Sequence, residues 1–200
     1  MRLKDVFKAR HKFAREIFYD DLREDWSESQ LRRSVHPSMN SLVWVMWHVA
    51  RVEDAGVMRF VARQPQLFQT GDWKNKLKIE FEHFGFGMVY KEMRTLSETI
   101  DLGALQSYWD AVIEQTYAVV DALTEAQMDE ILSDEEVEQV MVFEGVGAES
   151  VGTNVPYSGW TRLEALFHFS VTHYYWHGGE VRTIEGLLLE EAKSNQTETD

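Results

Sequence analysis

The chain has no cysteine, which removes disulfides, thiolate nucleophiles and cysteine-ligated zinc or iron–sulfur sites together. Any metal must then sit on histidine and carboxylate. Only three prolines occur, at positions 37, 65 and 156, and each falls where helical periodicity stops, as a helix breaker should. No apolar run exceeds six residues, the longest being Leu42 to Trp47, far short of the ~18 needed to cross a bilayer. Met1-Arg2-Leu3-Lys4-Asp5 lacks the apolar core of a secretion signal, so a cytoplasmic protein with no membrane partner is expected. Cations are scarce too, 20 Lys and Arg against 34 Asp and Glu, for a net charge of −14. Such a surface draws little from phosphate neutralisation, which argues against a nucleic-acid partner.

What is present suits one compact domain: 200 residues, 44% apolar and 12% aromatic, with no internal repeat. A single domain over residues 1–190 is expected, followed by a frayed polar tail at 191–200. Apolar residues recur at three- and four-residue steps in four stretches. The first runs from Leu3 to about Trp26. The second follows His36-Pro37, is capped by Ser38 or Asn40, carries Leu42, Val45, Val49 and Val52 on one side, and ends before Gln64-Pro65. The third is capped by Asp101 and runs through Leu105, Trp109, Val112, Thr116 and Val120 to Leu123. The fourth begins after Pro156, near Gly159 or Trp160, and runs through Leu188. The fold class expected is all-α, an antiparallel four-helix bundle with long crossover loops.

Residues 65–99 hold Gly71, Gly85 and Gly87 among Trp73, Phe81, Phe84 and Phe86, a pattern that reads as a cap with a short helix or turn. Residues 121–150 hold ten acids and no Lys or Arg, which reads as a solvated acidic surface, with Val140 to Phe143 as a short strand. No calcium loop of the D-x-[DN]-x-[DN]-G type is present.

The fourth stretch carries the chemistry. Its heptad positions are Leu163, Leu166, Ser170, His173, His177, Glu180, Ile184 and Leu187, so the apolar stripe turns polar in its middle. Imidazoles and a carboxylate aimed into a bundle core must be paired or bound to something. His173 and His177 are one turn apart on one face, the geometry with which a helix offers two nitrogens to one ion. Such a pair alone is also common as satisfied core groups. His48 lies in the very apolar Leu42 to Ala50 stretch, where it either bonds a carbonyl or faces His173 and His177 to complete a three-histidine metal site with open positions. Glu180, a turn beyond His177, is a further ligand, a base, or the acceptor that orients a ligand histidine. Trp44 and Arg51, one turn either side of His48, read as apolar wall and anion clamp of a substrate pocket. The competing reading of Arg51 is a surface pair with Glu53 or Asp54.

The other histidines point elsewhere. His168 lies five residues before His173, about 140° round a regular helix and off the stripe. His11 and His36 read as surface and loop. His83 closes one Glu-x-x-His at Glu80, whereas a di-iron bundle needs two. Tyr174 follows His173, so the H-E-x-x-H of zincin proteases is absent.

Ser41-Leu42-Val43-Trp44-Val45-Met46-Trp47-His48-Val49-Ala50-Arg51-Val52-Glu53 and His173-Tyr174-Tyr175-Trp176-His177-Gly178-Gly179-Glu180-Val181 resemble the second-helix segment and the C-terminal H-x-x-x-H-x-G-Q motif of the DinB superfamily. Phe84-Gly85-Phe86-Gly87 and Leu105 to Leu123 fall where that family has its loop and third helix. The resemblance implies one divalent transition metal (zinc, nickel or iron) on His48, His173 and His177, and frequently a homodimer. It also implies enzymes that use a low-molecular-weight thiol (mycothiol, bacillithiol or glutathione) as S-transferases or isomerases, or that hydrolyse a small-molecule substrate. Glu180 departs from the family's more frequent Gln and adds charge beside the ion. The expected function is metal-assisted activation of a thiol, or of water, against a small molecule in an aromatic pocket. The alternative is a non-catalytic stress-response or interaction bundle with a structural metal.

Overall fold

The computed structural model describes residues 2–20, 26–144 and 157–197. Four long helical segments form the bundle. Helix α1 (Leu3–Arg15) continues as a π-helical turn, Glu16–Asp20. The short α2 (Glu28–Arg32) leads to α3 (Leu42–Ala55), which continues as a π turn, Gly56–Val61. The crossover holds α4 (Leu67–Thr70), α5 (Trp73–Leu77) and α6 (Tyr90–Thr99). Then come α7 (Leu102–Ala122), α8 (Glu125–Met128), α9 (Asp134–Phe143) and α10 (Arg162–Phe167). A third π turn, His168–Thr172, joins α10 to α11 (His173–Thr197). Helix α3 packs on α7 and α11, and so does α1, so the four close a ring around one core. Among the described residues no helix is long and apolar enough to cross a membrane.

The sequence places the ends of these helices with mixed success. Asp101 caps α7 as expected, accepting from the Ala104 N–H at 3.0 Å. The cap of α3 is Ser41, not Ser38 or Asn40; its Oγ accepts from the Trp44 N–H at 3.0 Å. Asn40 is thereby left free for the site described below. Thr161 caps α10 with a reciprocal bond to Glu164. The Pro156 boundary lies outside the described residues, and α11 continues to Thr197.

Val140 to Phe143 belong to α9 rather than a strand. The physical reason is a capping box: Ser133 Oγ accepts from Glu136 N–H while Glu136 Oε2 accepts from Ser133 N–H, and this nucleates a helix that the apolar run then continues. The crossover is also more helical than a cap with one turn, because Met93, Leu96 and Ser97 give α6 a buried stripe of its own.

Every residue of α3 is buried, although its apolar pattern suggested a single core-facing side. The crossover covers the face that the bundle leaves open. Four charged or titratable side chains are enclosed with it: His48, Arg51, Glu53 and Asp54. At ~100° per residue they leave the helix in three directions, Arg51 with Asp54, Glu53 alone, and His48 alone. Each direction meets its own set of partners.

Candidate metal centre

Glu53 points to the bundle core. Its Oε1 accepts from Thr116 Oγ1 at 2.7 Å and lies 3.1 Å from His11 Nε2, while Oε2 accepts from the Tyr174 hydroxyl at 2.7 Å. Trp109 Nε1 donates to the same hydroxyl at 2.6 Å. Burial pushes the Glu53 carboxyl up, but His11, Thr116 and Tyr174 outweigh it and hold the group below its usual range. His11 is therefore a core residue and not a surface one. This network fixes the rotation of α11 at Tyr174, next to His173.

Arg51 and Asp54 point to the crossover. The guanidinium donates to Gln66 Oε1 at 2.7 Å, Tyr108 OH at 3.3 Å, the Glu82 carbonyl at 2.8 Å and Glu144 Oε2 at 3.5 Å, and it stacks 3.8 Å above the Phe68 ring. Asp54 accepts from the Leu67 and Phe68 N–H groups and from Tyr108 OH. Arg51 is thus neither an anion clamp nor half of a surface pair: it is fully buried and turned away from the cavity. Glu144 is likewise enclosed rather than part of the solvated acidic surface, whereas Asp121, Glu125, Asp129, Asp134, Glu135 and Glu138 are exposed. The contact to Glu82 ties Arg51 to the loop that covers His48.

That loop turns at Gly85, whose φ of +96° is left-handed and whose missing Cβ would lie 2.6 Å from the Trp47 ring and 3.0 Å from that of Trp44. Gly85→Ala is expected to cost about 1–3 kcal/mol from backbone strain and overpacking together. Gly87 also has positive φ, but open space around it, so Gly87→Ala should cost less. Thermal unfolding of both variants compares them, and equal losses would show that the indoles are not the obstacle.

His48 emerges beneath the loop. Its Nδ1 donates to the Phe84 carbonyl at 2.5 Å, Trp44 stacks on its ring at 4.6 Å, and its Nε2 lies 3.2 Å from His173 Nε2. His177 Nδ1 donates to Glu180 Oε2 at 2.7 Å, and Asn40 Nδ2 donates to Glu180 Oε1 at 2.7 Å. One ligand atom from each of His48, His173 and His177 lies within 4.8 Å of the other two. The three can hold a metal ion. Two outer nitrogens are already committed to a carbonyl and a carboxylate, the arrangement that fixes tautomer and ring orientation in metal sites. Glu180 accepts from His177 with one oxygen and from Asn40 with the other, the contacts of an orienting acceptor, and it is not among the three residues whose ligand atoms converge. Burial first, then the nearby His177, depress the His48 pKa to about 3, and burial with the neighbouring imidazoles puts His173 well below its ordinary value. Neutral imidazoles are the form a metal requires.

The cluster opens on a cavity of about 440 Å³ walled by Trp44, Phe86, Met88, Phe169 and Trp176. His168 lines it too, contrary to its expected place off the stripe. The reason is the π turn: the His173 N–H bonds the His168 carbonyl across five residues, so a spacing that misses by 140° on a regular helix returns to the same side here. Nothing in the residue pattern announces a π turn. Asn40 and the Phe84 carbonyl were also missed, since a loop carbonyl leaves no trace in sequence.

The sequence model of the DinB superfamily matches residues 19–181, and the chain belongs to that superfamily. The fold is similar to that of a conserved protein from Enterococcus faecalis known by crystal structure, with a TM-score of 0.68, 17% identity, and coverage of 95% of this chain and 99% of that one. No curated protein matches the chain.

Proposed function

We propose that this protein is a metal-dependent enzyme that activates a low-molecular-weight thiol, or else water, against a small molecule held in the aromatic cavity. The observation that carries this reading is the convergence of three imidazoles, within 4.8 Å of one another, on the floor of an open cavity. His48, His173 and His177 would hold one divalent transition ion, zinc, nickel or iron. Such an ion supplies Lewis acidity that lowers the pKa of a thiol or water bound to it. The chain's own residues do the rest. The Phe84 carbonyl and Glu180 aim two of the imidazoles, Asn40 steadies Glu180, and the aromatic walls exclude water around the reacting molecule.

Elemental analysis of protein purified without a histidine tag tests the site. Wild type should carry about one equivalent of transition metal and the His173→Ala/His177→Ala variant none; no metal in wild type after reconstitution defeats the reading. Metal-dependent turnover with a panel of thiols against activated aryl halides, and of esters with water, tests the chemistry. Bound metal without turnover on either panel would favour the non-catalytic bundle. Glu180→Ala should weaken metal binding about 10- to 100-fold in chelator competition by freeing the His177 ring. An unchanged affinity would remove Glu180 from the site.

A further inference from the structure

His168 is 8% exposed, and its side chain makes no hydrogen bond to a described residue. Four rings surround it, Trp160 at 5.0 Å, Trp176 at 5.1 Å, Tyr157 at 5.4 Å and Phe169 at 4.9 Å between centroids. Burial lowers its pKa, so the ring is neutral near pH 7 and offers one donor and one acceptor. This imidazole lines the cavity beside the three-histidine cluster without belonging to it, so its nitrogens are available to a molecule held there. Among the described residues lining that cavity there is no Lys, Arg, Asp or Glu. With no ion on the three histidines, a carboxylate or phosphate on the ligand would find no countercharge in the walls and would lose its hydration on entry.

We propose that His168 and the surrounding aromatic walls form a subsite for an uncharged aromatic molecule bearing a hydroxyl or carbonyl group, with His168 as the specificity-determining contact to that group. The flat rings of Trp44, Phe169 and Trp176 supply stacking surfaces, and a single polar contact at His168 fixes the orientation of the bound ring system. The π turn is what makes this possible, because it sets His168 over the same cavity as His173. This assignment deepens the function proposed above and names its substrate class, but it rests on wall chemistry and not on the ion.

The test is calorimetric titration of the full-length protein, as purified and after chelation, with 2-naphthol, 2-methylnaphthalene and 2-naphthoate. Naphthol is expected to bind about tenfold tighter than the methyl analogue, the yield of one buried hydrogen bond, and naphthoate weakest of the three in the chelated protein. His168→Phe, which keeps a ring among its aromatic neighbours, should equalise naphthol and methylnaphthalene. His168→Gln should restore part of the difference, and circular dichroism confirms that both variants fold. A preference that survives in His168→Phe, a preference lost on chelation, naphthoate binding the chelated protein as well as naphthol does, or no binding of any probe would each overturn the proposal. Because the chelated protein is measured beside the protein as purified, failure of the metal site leaves this result standing, and failure here leaves the metal analysis untouched.

Discussion

Arg51→Met is expected to lower the unfolding free energy by about 3–5 kcal/mol, the cost of stranding buried charge by deleting its partner. Methionine can fill the space of the arginine stem under Phe68, so packing accounts for little of the loss. What disappears is a fork that serves Gln66, Tyr108 and the Glu82 carbonyl while lying beside Asp54 and Glu144. Burial already raises the pKa of both carboxyls, and Arg51 is the leading influence holding them down. Without it they rise further. A carboxyl raised in the folded state binds more protons there than in the unfolded chain, so the variant's stability falls as pH rises above the ordinary carboxylate range. The deficit should therefore be larger at pH 8 than at pH 5, as measured by urea unfolding at both. A loss under about 1 kcal/mol, or one that ignores pH, would show that the network is not coupled as its geometry indicates. Arg51→Lys keeps the charge but cannot reach Gln66 and Glu82 at once, and should recover only part of the loss. Release of Glu82 also loosens the loop whose Phe84 carbonyl aims His48, so both variants should bind metal more weakly although Arg51 does not line the cavity.

The same residue shows where sequence reasoning stops. Arg51-Val52-Glu53-Asp54 looks like a solvated turn of helix, because burial of that stretch is decided by partners far along the chain: Glu144 for Arg51, Tyr174 for Glu53 and the Phe68 N–H for Asp54. No local period encodes those meetings. By contrast, α7 and the polar interruption in the fourth helical stretch were legible, since both follow from the spacing of side chains on a regular helix. The three imidazoles could be singled out because polar groups at core positions need a reason. His168 could not, because one π turn resets the phase on which every such inference depends. Val140 to Phe143 failed differently: a short apolar run does not choose between strand and helix, and the deciding signal was the Ser133 and Glu136 capping box just before it.

Metal-free protein is expected to lose stability steeply as pH falls from about 6.5 toward 4, and the imidazole cluster is the cause. Burial lowers the pKa of His48, His173 and His168, with neighbouring imidazoles adding to the effect at the first two; for His48 the folded value is about 3 against an ordinary 6.5. Between those limits the unfolded chain carries protons that the folded chain refuses. Stability from such a group is complete above the unfolded pKa and drains as pH falls toward the folded one, by about tenfold in the folding equilibrium per pH unit per histidine. Glu53, held low by His11 and its hydroxyl donors, adds to the loss below its own unfolded pKa. Asp54 and Glu144, raised by burial, act in the opposite direction from the ordinary carboxylate range upward and so offset part of the histidine slope. The upper part, from 6.5 to 5, therefore reports the histidines less this offset, and removing one histidine isolates its share. His48→Leu should flatten that part of the stability profile by about one such tenfold step per unit even if it changes stability at pH 8. Guanidinium unfolding of chelated protein across the range gives the slope. A slope between pH 7 and 5 that His48→Leu leaves unchanged would mean that His48 already accommodates a proton, and the imidazoles would then be a poor nest for a cation. Metal-loaded protein should shed its ion over the same interval, because protons and metal compete for the same nitrogens.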